Sequence, residues 1–554
     1  MRHILNKLSK SIAGEVSVSE EDIRYYSTDG GVFEIEPTAI VFPKDTNDMS
    51  TITKIVNTAH QHGSDKISLT ARGNGTDQGG GPINSGIIVD FMRHMDQILE
   101  IGDDFAVVQP GCLYGRLQSE LKKTGRYIPA YPASVEICTI GGAVANNSAG
   151  EKTVKYGSTR DYVEAVQVVL ADGTVTWLHA MDNNQLEHRK GLDTLEGQIF
   201  RQLDQLISEN HKTIHEDHPH VTKDSSGYAL WRVQEGDKFN PAQIIVGSQG
   251  TLCFVTAIRL RTIPTPDPNK ITLLVSYYDS LEQVGNAAQE IHALNPSALE
   301  IVDKNLINLV NKQKPELLEG LLPKDHNPAV ILLAEFDNAD DDERLAKEKA
   351  ADAITDKYSY AERIRHTQAG EEKMWKLRRS AAAVMWTIPG KKKALPIIED
   401  GTVPPHKLTE FIKRAYEIFD KYELEIAIWG HAGDADLHMQ PFMDLSDESD
   451  RKKLFAMTDE FYKMVKELGG TPAGEHNDSL MRAVYRPTMF SPEIEKLFNQ
   501  VKHIFDPENM LNPHKKVGVD FNYVKKLLRH EYTIESIAKM EREKGRTARE
   551  AIDR

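Results

Sequence analysis

TARGNGTDQGGG, from Thr70 to Gly81, separates two runs that read as strands, ISLTARG ending in the loop itself and GIIVDF from Gly86 to Phe91. Glycines in such a loop let backbone approach a ligand and turn its N–H groups toward oxygen atoms, an arrangement that suits a pyrophosphate. No helix follows, and the spacing differs from G-x-G-x-x-G, so the loop is not the phosphate fingerprint of a Rossmann unit. Upstream, TAIVFP (Thr38–Pro43) and DMSTITKIVNTAHQHG (Asp48–Gly63) complete a β-α-β pattern. Asp45, Thr46 and Asn47 are candidate N-caps of its helix, and Gly63 is the stop.

A second stretch is just as poor in bulky side chains: Pro129 to Ser134, then CTIGGAVANNSAG from Cys138 to Gly150. So many Gly, Ala, Ser and Asn residues cannot fill a core, and they are better explained as backbone lying against a large planar or phosphate-bearing ligand. Strand-like runs flank it, Phe105–Gly111 before and Tyr162–Leu178 and Gln243–Ile263 after. Residues 182–238 between them are polar and irregular and read as an insertion with some helix. Pro264, Pro266 and Pro268 cannot sit inside a helix or central strand, so a domain boundary is expected there. Beyond it, ITLLVSYYD, a helix around Leu281–Leu294 and AVILLAEFD give an α+β rhythm.

These stretches, with KYGSTRDYVEAVQVVLADG (Lys155–Gly173) and IVGSQGTLCFVT (Ile245–Thr256), occur in one order. In that order they resemble the FAD-binding domain of the p-cresol-methylhydroxylase type. The resemblance implies noncovalent FAD, with Thr76 standing where some relatives tether the flavin to a His. It implies that Arg72, Gly73, Asn74, Gly75 and Thr76 cradle the pyrophosphate, and that Pro132, Ser134, Thr139, Gly142, Asn147, Gly247, Ser248, Gly250 and Thr251 lie along the cofactor. Gln249 and Cys253 depart from the Glu and Gly common in the family.

A second constellation lies near the C-terminal end. LEIAIWG, HAGDADLH and MQPF read as strand, turn and strand, so a hairpin can bring His431 and His438 together. GGTPAGEHND adds Glu475 and His476, read as extended chain whose neighbouring side chains point in opposite directions. With Trp375–Arg378, PIIEDGTVPP (Pro396–Pro405) and FDPENMLNP (Phe505–Pro513), these strings resemble the C-terminal substrate domain of FAD-linked 2-hydroxyacid dehydrogenases, the group with D-lactate, glycolate-oxidase-subunit and D-2-hydroxyglutarate enzymes. The resemblance implies His431, His438 and Glu475 as ligands of a divalent metal, zinc or else manganese. It implies His476 as general base, Arg378 as carboxylate clamp and Asn512 near the flavin ring. Ala382 and Ile398 replace a Thr and a Lys of the hydroxyglutarate enzymes, and EHND differs from the EHG of the glycolate enzymes.

The expected architecture is α+β: an N-terminal segment (1–35), a two-subdomain FAD-binding domain (36–266), an α+β substrate or cap domain (267–516) and a charged helical tail (517–554). The expected reaction oxidises a D-2-hydroxy acid to the 2-oxo acid, D-lactate first, D-2-hydroxyglutarate or glycolate next. Electrons then pass to a separate non-NAD acceptor: a quinone, cytochrome, flavoprotein or iron-sulfur protein. The rival readings are a metal-dependent hydrolase built on the same His and Glu residues, and a non-catalytic flavoprotein electron-transfer subunit.

Bulk composition fits. Across 554 residues, 40% apolar and 27% charged residues are ordinary for globular proteins, and the length exceeds what one core serves. A net charge of -16 argues against nucleic acid as partner. Cys112, Cys138 and Cys253 are too far apart for an iron-sulfur or cysteine-zinc site. MRHILNKLSKSIAG has no secretory apolar run and no stretch is long enough to span a bilayer, so a cytoplasmic protein is expected. The basic tail, with Leu527, Leu528, Ile534, Ile537 and Met540 at helical spacing, allows peripheral contact with the inner face of a membrane, and a homodimer is the other association considered.

Overall fold

The computed structural model describes residues 1–63, 66–323, 326–359, 364–365, 368–379 and 388–532. The β-α-β reading is realised: strands Ala39–Phe42 and Leu69–Arg72 both pair in parallel with Ile87–Asp90, and Glu15–Ser17 closes the edge of this four-stranded sheet. Helix Thr46–Gln61 makes the crossover. Its N-cap is Asp45, whose carboxylate accepts from the amides of Asn47 and Asp48, and Gly63 (φ +66°) takes the left-handed turn just past its end. Its apolar side, with Met49, Ile52 and Val56, is buried against Leu69, Ile87 and Val89.

A five-stranded antiparallel sheet follows, in the order Ile98–Ile101, Phe105–Val108, Phe254–Arg261, Val163–Val169, Val175–His179. The expected strand from Gln243 onward is in part a helical turn, Ala242–Ile245, and pairing resumes only at Phe254. The glycine-containing turn of Gly247 (φ +85°), Gln249 (φ +52°) and Gly250 (φ +67°) is what forbids a continuous strand there. The segment read as an irregular insertion is largely helical, with Asn183–Lys190, Leu195–Glu209 and His211–Glu216. Helix Leu195–Glu209 buries Ile199, Phe200, Leu203 and Leu206 in the core that also holds Leu497, Phe498 and Val501 of helix Pro492–Phe505. Its polar residues occupy the outer face, which hid the amphipathic pattern in a segment average.

Past the prolines, strand Ile263–Pro264 still pairs with Arg126–Tyr127, whereas Thr272–Tyr278 enters a seven-stranded antiparallel sheet. The order is Ile364–Arg365, Thr272–Tyr278, Val330–Phe336, Ala298–Asp303, Ile426–His431, Asp436–Met443, Lys393–Ala394. Both faces are covered: helices Leu281–His292 and Leu408–Lys421 contribute to one core, and Lys304–Gln313 with Met374, Trp375 and Leu377 to the other. Burial on both sides accounts for the nearly uninterrupted apolar runs of its central strands.

The start of the expected tail is not a solvated helix. After the short helix Phe521–Lys526 the chain packs onto the N-terminal segment: Arg529 donates to the carbonyls of Phe33 and Asp29 (3.0 Å each), and Tyr532 to that of Gly30 (2.8 Å). Ile534, Ile537 and Met540 lie outside the described residues, as does Ala382. Among the described residues no helix is long and apolar enough to cross a membrane. The three cysteines are buried free thiols.

Candidate active site

A continuous cavity of about 360 Å³ runs from the loop after strand Leu69–Arg72 to the histidine cluster of the seven-stranded sheet. Its first wall is the loop Arg72–Thr76. The amides of Gly79 and Gly81 donate to Asp77 and that of Gly80 to Asp29, so the second half of the loop is a braced turn and the first half is left to meet a ligand. Arg72 is 1% exposed, and its Nη2 is buried with no hydrogen-bond partner in the protein. An orphaned buried guanidinium nitrogen beside a glycine loop fits an anionic group such as a pyrophosphate. Close approach explains the glycines: a Cβ on Gly75 (φ +66°) would lie 2.4 Å from Arg72 Nη2, and one on Gly73 2.3 Å from Thr139 Oγ1. Gly75→Ala is therefore expected to weaken FAD retention about tenfold or more, because it combines left-handed backbone strain with displacement of the guanidinium. Equilibrium titration of the apoprotein with FAD checks it.

The opposite wall is helix Ile140–Asn146, whose N-cap Thr139 accepts from Gly142 N (3.0 Å). Its Gly141 packs where a Cβ would meet Pro110 at 2.6 Å. Gln249, the departure from the family's Glu, both donates and accepts: to Asn146 Oδ1 (3.0 Å) and Ser479 Oγ (2.7 Å), and from Ser479 N (2.8 Å). A carboxylate could not donate to Asn146 Oδ1, so the amide suits this neighbour.

At the far end the antiparallel hairpin Ile426–His431/Asp436–Met443 sets the histidines. His438 stands opposite Trp429, two residues before His431, so both imidazoles emerge on one face, with ring centroids 5.4 Å apart. Glu475 Oε1 lies 3.1 Å from His431 Nε2 and 3.3 Å from His438 Nε2. Tetrahedral zinc with bonds of about 2.0–2.1 Å holds its ligand atoms about 3.3–3.4 Å apart, so the donor set fits a divalent cation and leaves a coordination position open. Glu300, Glu399, Asp400, Asp434, Asp436 and Glu475 are buried here beside Lys223, Arg378, Arg482, His431 and His438, so the protein's own bases offset much of the buried negative charge.

Glu475 and His476 are not on extended chain. They lie in a bend, and the Asp400 carboxylate accepts from both their amides (2.8 Å each), so the two side chains converge on the cluster instead of diverging. Asp400 itself has φ +77°. His476 Nδ1 donates to Glu399 Oε1 (2.6 Å), its ring stacks on His438 (5.1 Å, 8°), and Nε2 lies 3.7 Å from Glu475 Oε1. Gln78, with its amide nitrogen toward Glu399, donates to both carboxylate oxygens at 3.0 Å and so links the glycine loop to the carboxylate that holds His476.

Burial alone pulls the His476 imidazole toward neutrality, but Glu399 and Asp400 outweigh it and hold it protonated up to about 10. His431 follows the same logic: burial opposes, Glu300 and Glu475 prevail against Lys223, and its proton is held to about 9. Burial lowers His438, and the Glu475 carboxyl, raised by burial, is brought well below its usual range by Lys223 and His431. Since His431 Nδ1–H is engaged by Glu300, a cation must displace the proton on Nε2. The apparent affinity for zinc is thus expected to rise by about tenfold per pH unit as pH approaches 9, and to level off above it. Chelator competition across pH measures this.

Of the residues expected along the cofactor, Arg72, Gly73, Asn74, Gly75, Thr76, Pro132, Ser134, Thr139, Gly142, Ser248 and Gly250 line the cavity, and so do Arg378, His438, Glu475 and His476. Asn147, Gly247, Thr251 and Asn512 stand behind the lining. Asn147 (φ 53°) ends the small-residue helix and accepts from Arg160 N (2.9 Å), the Gly247 carbonyl accepts from Asn477 (3.0 Å), and the Thr251 hydroxyl donates to Ser248 O (2.6 Å). Asn512 donates to the carbonyls of Gly81 (3.0 Å) and Gln249 (2.7 Å), so it ties the two cofactor loops together and does not line the cavity. Ile398 is buried in the core and not in the cavity wall.

The sequence reading missed Glu399, Glu300 and Lys223. Glu399 belongs to PIIEDGTVPP, which by itself gives it no partner, and Glu300 is an acid inside the apolar run ALEIVD, which marks it as a buried charge. Lys223 comes from the supposed insertion, is fully buried, and donates to Glu475 Oε2 (2.8 Å) beside Asp436 Oδ2 (3.3 Å). Only the fold shows that pairing.

This geometry places the chain in a class. Residues 37–179 match the FAD binding domain family and residues 267–516 the family of FAD linked oxidases, C-terminal domain. The chain belongs to the FAD-linked oxidases. It is 28% identical over 525 residues to the D-2-hydroxyglutarate dehydrogenase of Escherichia coli (strain K12), covering 91% of this chain and 50% of that protein. The glycolate oxidase subunit GlcD of Bacillus subtilis (strain 168) is 29% identical over 88% of this chain and 90% of its own length. The D-lactate dehydrogenase of Archaeoglobus fulgidus is 27% identical over 86% and 91%. The chain thus spans about half the length of the hydroxyglutarate dehydrogenases it matches. In fold it is similar to p-cresol methylhydroxylase with substrate bound, at a TM-score of 0.68 and 15% identity over 94% of this chain and 97% of that one.

Proposed function

We propose that the chain oxidises a small D-2-hydroxy acid to the 2-oxo acid, D-lactate before D-2-hydroxyglutarate or glycolate, and hands the electrons to a separate non-NAD acceptor. The observation that carries this reading is the shared cavity: the loops that fit FAD and the cluster of Glu475, His438, His476 and Arg378 line one space. When bound, FAD supplies the hydride acceptor and a divalent cation, zinc or manganese, the positive charge that acidifies a hydroxyl.

The chain's own residues do the rest. His431, His438 and Glu475 would hold the cation, and Arg72 to Thr76 with the helix of Thr139 and Gly142 the FAD. His476 takes the hydroxyl proton, and Glu399, bonded to its other nitrogen, orients the ring and stabilises the imidazolium that results. Arg378 receives the substrate carboxylate in its planar fork and so selects which face of Cα is presented. Among the described lining residues the other cations are Arg72, in the phosphate loop, and Arg379, paired with Glu151. Lys393, from the Lys391–Lys393 run, donates to the Ile388 carbonyl. Those commitments favour a monocarboxylate. Single-turnover reduction of the FAD-loaded protein by D-lactate against D-2-hydroxyglutarate tests the ranking, with faster reduction by D-lactate expected and the reverse order refuting it.

A further inference from the structure

Glu300 joins the histidine cluster to Arg378. It sits in the middle of strand Ala298–Asp303, directly opposite His431 on strand Ile426–His431, and is 1% exposed. One carboxylate oxygen, Oε1, accepts from His431 Nδ1 (2.7 Å), and the other, Oε2, accepts from Arg378 Nε (2.7 Å). Both partners are donors at these atoms. Only an acceptor with two free oxygens can serve both.

The consequences differ on the two arms. On His431, acceptance at Nδ1 keeps a proton on that nitrogen, so the proton given up to a cation is the one on Nε2, the nitrogen that faces Glu475 and His438. On Arg378, engagement at Nε holds the guanidinium plane still, so that its terminal nitrogens meet a carboxylate in a set orientation. We infer that Glu300 is a positioning residue that sets the cation-binding tautomer of His431 and the plane of the Arg378 clamp with one side chain. This rests on the proposed roles of His431 and Arg378.

Glu300→Gln separates the arms. The amide oxygen takes the charged donor, Arg378, and the amide nitrogen is left facing His431 Nδ1, to which it donates. The proton of neutral His431 then resides on Nε2, where it blocks the cation. The test uses the full-length protein loaded with FAD, with zinc affinity measured by chelator competition and binding of propionate, which lacks the hydroxyl, by calorimetry. Thermal melting and flavin content report folding. Glu300→Gln is expected to weaken zinc about 10- to 100-fold while propionate binding stays near that of the parent. Glu300→Asp, charged but one methylene shorter, is expected to weaken both.

Zinc affinity within twofold of the parent in Glu300→Gln would overturn the inference. If that variant fails to hold FAD, Glu300→Asp decides alone: unchanged zinc and propionate binding overturns the inference, and loss of both supports it. A parent chain that takes up no zinc at all overturns the ligand assignment as well, whereas zinc bound equally by parent and variants overturns the role of Glu300 only.

Discussion

His476→Ala is expected to slow flavin reduction by a 2-hydroxy acid about 10²- to 10⁴-fold, the usual range for a removed general base, while FAD content stays that of the parent. The residue is the cluster's most accessible imidazole, its side chain 27% exposed and in the cavity wall, while Glu399 holds its far nitrogen. The base must be neutral to work. Because Glu399 and Asp400 hold the metal-free imidazole protonated up to about 10, against the pull of burial, the reduction rate is expected to climb with pH across the neutral range. A cation on the neighbouring ligands repels that proton, so the limb should lie at lower pH in zinc-loaded protein than in protein loaded with FAD alone. Stopped-flow reduction across pH reads both. An equal rate in His476→Ala would remove His476 from the chemistry.

Glu475→Gln, or prolonged chelation of the parent, is expected to cost about 10²- to 10³-fold in the same rate, corresponding to several kcal/mol of charge stabilisation withdrawn from a developing alkoxide. Glutamine keeps the shape and one acceptor but removes the charge that Lys223, His431 and His438 all face. Chelation and mutation should agree. Added zinc should restore the chelated parent and not the variant, with metal content by mass spectrometry as the check. Full activity after demonstrated metal loss would exclude the cation from the reaction.

The parts of this site legible in the sequence are those where the chemistry is local. The loop from Thr70, the small-residue helix after Thr139 and the hairpin around Gly430 each carry their geometry in consecutive residues, through glycine turns, a cap and strand alternation. What sequence did not convey is pairing over long separations. Lys223 meets Glu475 and Glu300 meets Arg378 only because different sheets and segments are packed together. The divergent Glu475 and His476 of the extended reading failed for a similar reason, since Asp400, far back in the chain, gathers both amides and bends the backbone. Asn512 was read from its string as a cofactor neighbour, and its hydrogen bonds to Gly81 and Gln249 make it the clasp of the loops that are.

The most direct test of the central claim is anaerobic mixing of the FAD-loaded protein with D- and L-lactate, glycolate and D- and L-2-hydroxyglutarate while following the blue absorbance of oxidised flavin. The account predicts rapid bleaching by a D-2-hydroxy acid and not by its L-enantiomer, with D-lactate fastest. A yellow, metal-replete protein that none of these acids bleaches would contradict it.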